Sequence, residues 1–346
     1  MPEDDSKYEN RAIAGWLFVC LSLIFVMVVL GGVTRLTGSG LSMVNWHPVH
    51  GVVPPLNTEQ WQEEFDNYQK SPEFQKINRD FSVADFKTIF WFEFSHRLLG
   101  RLIGIVFLIP FMYFWFRHKI RPGLTPKLII MFVLGGFQGL LGWYMVKSGL
   151  ISNPHVSQYR LTAHLISAIL IYGFILWIML DLIRLKAYVP LSNSFKTKSR
   201  IISITFLALV TLVIVSGGFV AGLKAGLIFN TFPKMGDLWI PNDLWVLAPV
   251  YLNLFENMVT VQFDHRILAE TTGLLLLFYY FVGRSHPDKE VSKSFKLIGM
   301  MVIIQIILGI STLLMHVPVW LASMHQAGAL LLFSVVVMNV HALSRH

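Results

Sequence analysis

Eight apolar runs, at about 13–33, 95–116, 127–146, 160–182, 200–221, 264–283, 295–314 and 321–343, dominate this chain. Each has the ~20 residues a helix needs to cross the hydrocarbon core of a bilayer. A backbone in lipid must satisfy its hydrogen bonds internally, so continuous runs of this length leave helices as the spanning structure. The composition agrees: 54% of residues are hydrophobic and 14% charged, against about 25% charged in soluble domains. The expected fold class is an all-α membrane protein with eight transmembrane helices.

The net charge of +8 is dispersed, not patched. Arg117, Lys119, Arg121 and Lys127 follow the second run, Arg184, Lys186, Lys196, Lys198 and Arg200 the fourth, and Arg284, Lys289, Lys293 and Lys296 the sixth. Positive loops of this kind set topology and face the cytoplasm; they are no nucleic-acid surface. Both termini are then expected in the cytoplasm, with the acidic loop 34–94 outside. The acidic stretch Met1 to Asn10 is unlike an Arg-rich transit peptide, and the first run reads as a retained helix. The single cysteine, Cys20, cannot form a disulfide within the chain and reads as a core or lipid-facing residue.

Within loop 34–94, segment 57–81 is polar with scattered aromatics (Trp61, Phe65, Tyr68, Phe74) and predicts short helices on the outer surface. Ser82-Val83-Ala84-Asp85 resembles a capping box, so the second long helix is expected to begin well before the membrane.

The chain repeats itself. Gly31-Gly32-Val33-Thr34 is echoed by Gly217-Gly218-Phe219-Val220, and Phe94-Ser95-His96-Arg97 by Phe263-Asp264-His265-Arg266. Gln138 with Gly142 is echoed by Gln305 with Gly309, and Leu161 to His164 by Leu321 to His325. Four echoes in one order predict a duplication: two tandem four-helix bundles, 1–190 and 191–346, related by a pseudo-two-fold axis along the membrane normal.

The echoes carry four histidines, His96 and His164 in the first half and His265 and His325 in the second. All are placed near the outer ends of even-numbered helices. Facing helices of a bundle commonly hold cofactors, and two opposed imidazoles can be the axial ligands of one haem. No Cys-x-x-Cys-His occurs, so such a haem is non-covalent. The plainer alternative is that each histidine only bonds a neighbouring carbonyl. The remaining histidines (His47, His50, His118, His155, His286, His316, His341, His346) read as solvated or interfacial. Arg97 and Arg266 are placed to pair with a haem propionate or a structural partner, the alternative being charges that reach up to the headgroups.

One difference between the halves bears on chemistry. Glu93 shares a helical face with His96, whereas Gln262 stands in the same place before His265. A carboxylate can accept and relay protons and an amide cannot. The first half is thus expected to do chemistry and the second to hold a haem for electron transfer. A two-haem electron carrier and a transporter on a parallel repeat stay open on spacing alone.

Taken together, Gly31-Gly32-Val33-Thr34-Arg35-Leu36-Thr37-Gly38-Ser39-Gly40-Leu41-Ser42, Glu93-Phe94-Ser95-His96-Arg97, Thr260-Val261-Gln262-Phe263-Asp264-His265-Arg266, His164 and His325 resemble the haem A synthase family. The resemblance covers essentially the whole chain and is closer to the mitochondrial and proteobacterial branch, which lacks an outer-loop cysteine pair. It implies a bacterial inner-membrane oxidoreductase that turns a porphyrin methyl of haem O into the formyl of haem A, by successive hydroxylations. It further implies a haem b ligated by His265 and His325, and a substrate haem at His96 and His164 with Glu93 important for catalysis. The partners implied are haem O synthase, the cytochrome oxidase assembly machinery and an unnamed electron acceptor; a homo-oligomer stays open.

Overall fold

The computed structural model describes residues 3–44, 51–150, 154–183, 193–286 and 288–344. The expectations for His47, His50, Arg184, Lys186 and His346, and for a boundary at 190/191, lie outside the described residues. The elements are α1 (Glu3–Leu36), α2 (Thr58–Gln69), α3 (Pro72–Lys76), α4 (Val83–Phe116), α5 (Thr125–Gly149), α6 (Gln158–Ile183), α7 (Asn193–Leu223), α8 (Asn253–Glu256), α9 (Met258–Gly283), α10 (Lys289–Leu314) and α11 (Val319–Ser344). Eight of these helices are long and apolar enough to cross a membrane: α1, α4, α5, α6, α7, α9, α10 and α11. The chain is a multi-pass, all-helical membrane protein.

The described chain divides into two compact units, one of residues 22–164 and one of the segments up to Leu21 and from Leu165 onward. In the first unit α1 stops at a Schellman motif. Gly38 takes a positive φ of 68°, which a residue without a Cβ adopts freely. Ser39 N–H then donates to Thr34 O at 2.9 Å and Gly38 N–H to Arg35 O at 3.3 Å.

Helix α4 begins at Val83, twelve residues before the apolar run that announces it. Ser82 and Asp85 form the expected capping box, worth about 1 kcal/mol. Aromatic packing carries the helix on from there. Trp61, Phe65 and Tyr68 on α2 bury against Phe86, Ile89, Phe90 and Phe94 of α4. The Trp61 and Phe90 rings meet edge-on at 5.0 Å, and Phe90 stacks on Phe94 at 5.8 Å. Hydropathy alone misses this stretch, because residues 83–94 bury their aromatic face on protein. His96 consequently lies more than three turns into its helix, at 3.6 residues per turn.

In the second unit α7, α9, α10 and α11 pack together and α6 packs on α11. A buried polar cluster ties four helices. Ser203 Oγ of α7 donates to Asn339 Oδ1 of α11 at 2.6 Å and shares a hydrogen bond with Tyr279 OH of α9. Asn339 Nδ2 donates to Ser294 Oγ of α10 at 2.8 Å. Asn339 is fully buried, so satisfying both ends of its amide offsets its desolvation.

His341 corrects an expectation. It is 1% exposed, neither solvated nor interfacial. Its Nε2 lies 2.9 Å from Asp181 Oδ1 of α6, and its ring meets Trp177 edge-on at 4.9 Å. Position near the chain end misled the reading, because α6 covers the last turns of α11. His118, His155 and His316 are exposed, as expected. His118 and His316 take the positive φ that closes α4 and α10. Cys20 is buried in the core.

Candidate functional site

In the unit of residues 22–164, His96 on α4 and His164 on α6 lie within Coulombic range of each other. Each ring rests on a glycine of the preceding membrane helix. A Cβ on Gly31 would stand 3.3 Å from His96 Nε2, and one on Gly142 would stand 3.1 Å from His164 Cε1. Gln138 of α5 donates to His164 O at 2.8 Å. His96 makes no hydrogen bond among the described residues.

One turn before His96, Glu93 is 2% exposed and held by three donors. Ser42 Oγ donates to its Oε2 at 2.7 Å and Met43 N–H at 2.8 Å. Arg97 donates to Oε1 in a buried ion pair and to Met43 O at 3.1 Å. Glu93 and Arg97 therefore clasp the segment that leaves α1. Arg97 is thus paired within the protein and does not reach out to headgroups. A carboxylate has about four acceptor sites; three are taken here.

The other unit repeats the arrangement with different polar chemistry. His265 on α9 and His325 on α11 are within Coulombic range. A Cβ on Gly217 of α7 would stand 3.3 Å from His265 Cε1, and one on Gly309 of α10 would stand 2.9 Å from His325 Cε1. Gln305 donates to His325 O at 3.0 Å and lies equally close to its Nδ1. Where the first unit has Glu93, Gln262 donates to Phe229 O at 3.0 Å. Where it has Arg97, Arg266 donates to Pro233 O at 2.7 Å. In both units the residues three before and one after the histidine grip the loop that follows α1 or α7.

This donor set fits a haem better than a bare ion. Among the described residues no group of three or more His, Cys, Asp or Glu is placed to hold a metal ion. Paired imidazoles suit an iron already held by a macrocycle. His265 has its Nδ1 engaged by Ser216 at 2.8 Å, and its Nε2 makes no hydrogen bond among the described residues. Arg266 Nη1 is buried without a hydrogen-bond partner among the described residues, an orphan donor of the kind an external carboxylate satisfies.

The COX15-CtaA family model, described as cytochrome oxidase assembly protein, matches residues 14–337. The chain is 49% identical to a heme A synthase of Nitrosospira multiformis, over 99% of this chain and 96% of that one. The chain belongs to the haem A synthase family. It is 45% identical to a heme A synthase of Parvibaculum lavamentivorans, covering 97% of this chain and 95% of that one. Against the heme A synthase COX15 of Homo sapiens it is 44% identical, with 95% and 82% covered. With one cysteine, this member has no cysteine pair.

All of the site residues expected from the sequence fall into two histidine stations, one in each unit. Three members of the haem A synthase stations were not singled out as such: Ser42 and Met43, which hold Glu93, and Ser216, which holds His265. Ser42 closes the quoted glycine-rich motif, a signal that was legible. Ser216 immediately precedes Gly217 and had none, because a serine in an apolar run commonly bonds its own helix.

Proposed function

We propose that the chain is a membrane oxidoreductase that oxidises a ring methyl of haem O to a formyl group, giving haem A for cytochrome oxidase. One observation carries the assignment of roles: two matched histidine–glycine stations, of which only the first has a carboxylate, Glu93, three residues before its histidine, where the second has Gln262. Family membership supports the reaction. In this reading residues 1–190 and 191–346 are two four-helix halves related by a pseudo-two-fold axis along the membrane normal. The stations lie toward the outer face of a bacterial inner membrane, and both termini are cytoplasmic.

His96 and His164 hold the substrate at its iron, with Gly31 and Gly142 leaving room for their rings. With water as the oxygen source, methyl to formyl releases protons together with electrons (R–CH3 + H2O → R–CHO + 4 H+ + 4 e−), and Glu93 is the proton acceptor one turn from His96. Ser42, Met43 N–H and Arg97 fix its direction and, among the described residues, leave one lone pair free. Arg266 directs its unpaired Nη1 to a propionate in the second half. A haem b bound there by His265 and His325 would supply one-electron redox chemistry toward an external acceptor. Haem O synthase and the oxidase assembly machinery are the partners this role requires.

The test is to purify the protein in detergent, extract its haems and identify them by chromatography and mass. Haem B together with haem O or A is expected, the latter pair disappearing in His96→Ala. Two equivalents of haem B and no oxidised porphyrin would establish an electron carrier instead. Normal haem A production by both Glu93→Ala and His96→Ala would overturn the assignment of the first station.

A further inference from the structure

The two histidines that follow the glycine pairs are held differently. In the second unit Ser216 Oγ lies 2.8 Å from His265 Nδ1 and 2.8 Å from its own helix's Val213 O. Only one arrangement uses both hydrogens. His265 Nδ1–H donates to Ser216 Oγ, and Ser216 O–H donates to Val213 O. The Ser216 contact, with its hydroxyl hydrogen committed to Val213 O, therefore favours a proton on Nδ1. With that proton on Nδ1, Nε2 carries the bare lone pair a metal needs.

In the first unit the position matching Ser216 is Leu30, immediately before Gly31. Leucine offers His96 neither donor nor acceptor. The His96 ring is also turned the other way, with Nε2 rather than Cε1 nearest the glycine, 3.3 Å from a Cβ built on Gly31. Among the described residues no hydrogen bond sets its tautomer.

We propose that Ser216 is a positioning residue that makes His265 a permanent iron ligand, and that Leu30 in its place leaves His96 an exchangeable one. The inference rests on the haem b reading above and deepens it. A metal-bound imidazole is ordinarily fixed and made more basic by a partner on its other nitrogen. That partner favours ferric iron and slows ligand loss. A resident electron carrier needs both properties. A station that must admit one haem and release another as product needs neither, since a strongly held axial ligand would slow turnover.

The experiment compares full-length wild type, Ser216→Ala, Ser216→Thr and His265→Ala, purified in detergent. Three quantities are read: the rate of haem transfer to apomyoglobin, the midpoint potential of the low-spin haem, and its ferric electron paramagnetic resonance spectrum. Ser216→Ala keeps the helix, alanine being the better helix former, and an unchanged size-exclusion profile confirms the fold. The expected result is haem loss about 10–100-fold faster, a higher midpoint potential and a shifted ferric spectrum, with Ser216→Thr restoring all three. Leu30→Ser should do the converse in the first station and slow the release of haem O or haem A. Suppose wild type holds a low-spin haem B that His265→Ala removes, yet Ser216→Ala leaves the loss rate, potential and spectrum of that haem B unchanged. The proposal is then wrong and the haem b reading stands. If His265→Ala keeps its haem B, identified by extraction and mass, the haem b reading itself fails and takes the proposal with it.

Discussion

Glu93 Oε1 accepts a hydrogen bond from Arg97, one turn along α4, and the two side chains are 3% and 10% exposed. Removing one partner of a buried pair leaves an uncompensated charge, which costs about 3–5 kcal/mol. Arg97→Ala should therefore unfold at markedly lower denaturant than wild type. Arg97→Lys should fall between, because an ammonium keeps the charge but not the shape and reach of the guanidinium, whose Nη2 donates to both Glu93 and Met43 O. Chemical denaturation in detergent, followed by Trp fluorescence, measures both. Equal stability of Arg97→Ala and wild type would show that the ion pair is dispensable.

The glycines under the histidine rings make a graded prediction. A Cβ at Gly309 would meet His325 Cε1 at 2.9 Å, whereas one at Gly217 would meet His265 Cε1 at 3.3 Å. The tighter contact cannot be absorbed without moving the ring. Gly309→Ala should lose most of its bound haem, and Gly217→Ala should retain more. Gly15→Ala is the control, since nothing stands within 4 Å of its Cβ position. Haem-to-protein ratio after size exclusion is the measurement.

Asn339 joins α7, α10 and α11 through Ser203 and Ser294. It lies fourteen residues beyond His325 on α11, about 20 Å at 1.5 Å per residue. Interhelical hydrogen bonds in membrane proteins average about 0.6 kcal/mol each. Asn339→Leu should destabilise the protein by about 1–2 kcal/mol while leaving the absorption spectrum of the bound haem unchanged. A shifted spectrum would mean that the network acts on the histidine station after all.

Tyr68 predicts an alkaline transition outside the membrane spans. Burial, and then the neighbouring Glu73, push its phenol well above the usual tyrosine range. It donates to Glu73 Oε2 at 3.1 Å and accepts from Asn78 Nδ2 at 2.8 Å. An acid whose pKa is raised on folding contributes stability below its unfolded pKa of about 10 and loses it as pH rises further. Packing of α2 on α4 should loosen above that pH, seen as a change in Trp61 emission that Tyr68→Phe suppresses. An identical alkaline transition in Tyr68→Phe would assign it to another group.

Much of the architecture could be read directly. Hydropathy located the eight spans because a span is a local, one-dimensional property. The Ser82 capping box was legible for the same reason: its partners are three residues apart. The four histidines stood out because each sits in a pattern that the sequence echoes in its other half. The Ser82 box put the start of α4 ahead of its apolar run, where hydropathy alone would not, since residues 83–94 are stabilised by aromatic rings from α2 rather than by lipid. His341 was misplaced because its partner Asp181 is 160 residues away.

The sequence by itself thus determined the membrane fold, the repeat, and which side chains are available for chemistry. The tertiary structure alone decided what each of them touches. Glu93 meets Ser42 across 51 residues of chain and His265 meets Ser216 across 49. Helical periodicity carries no information at such separations. Whether a carboxylate is held by three donors, or an imidazole by one hydroxyl, depends on how helices distant in sequence are brought side by side. That is set by packing summed over the whole unit, and no local motif encodes it.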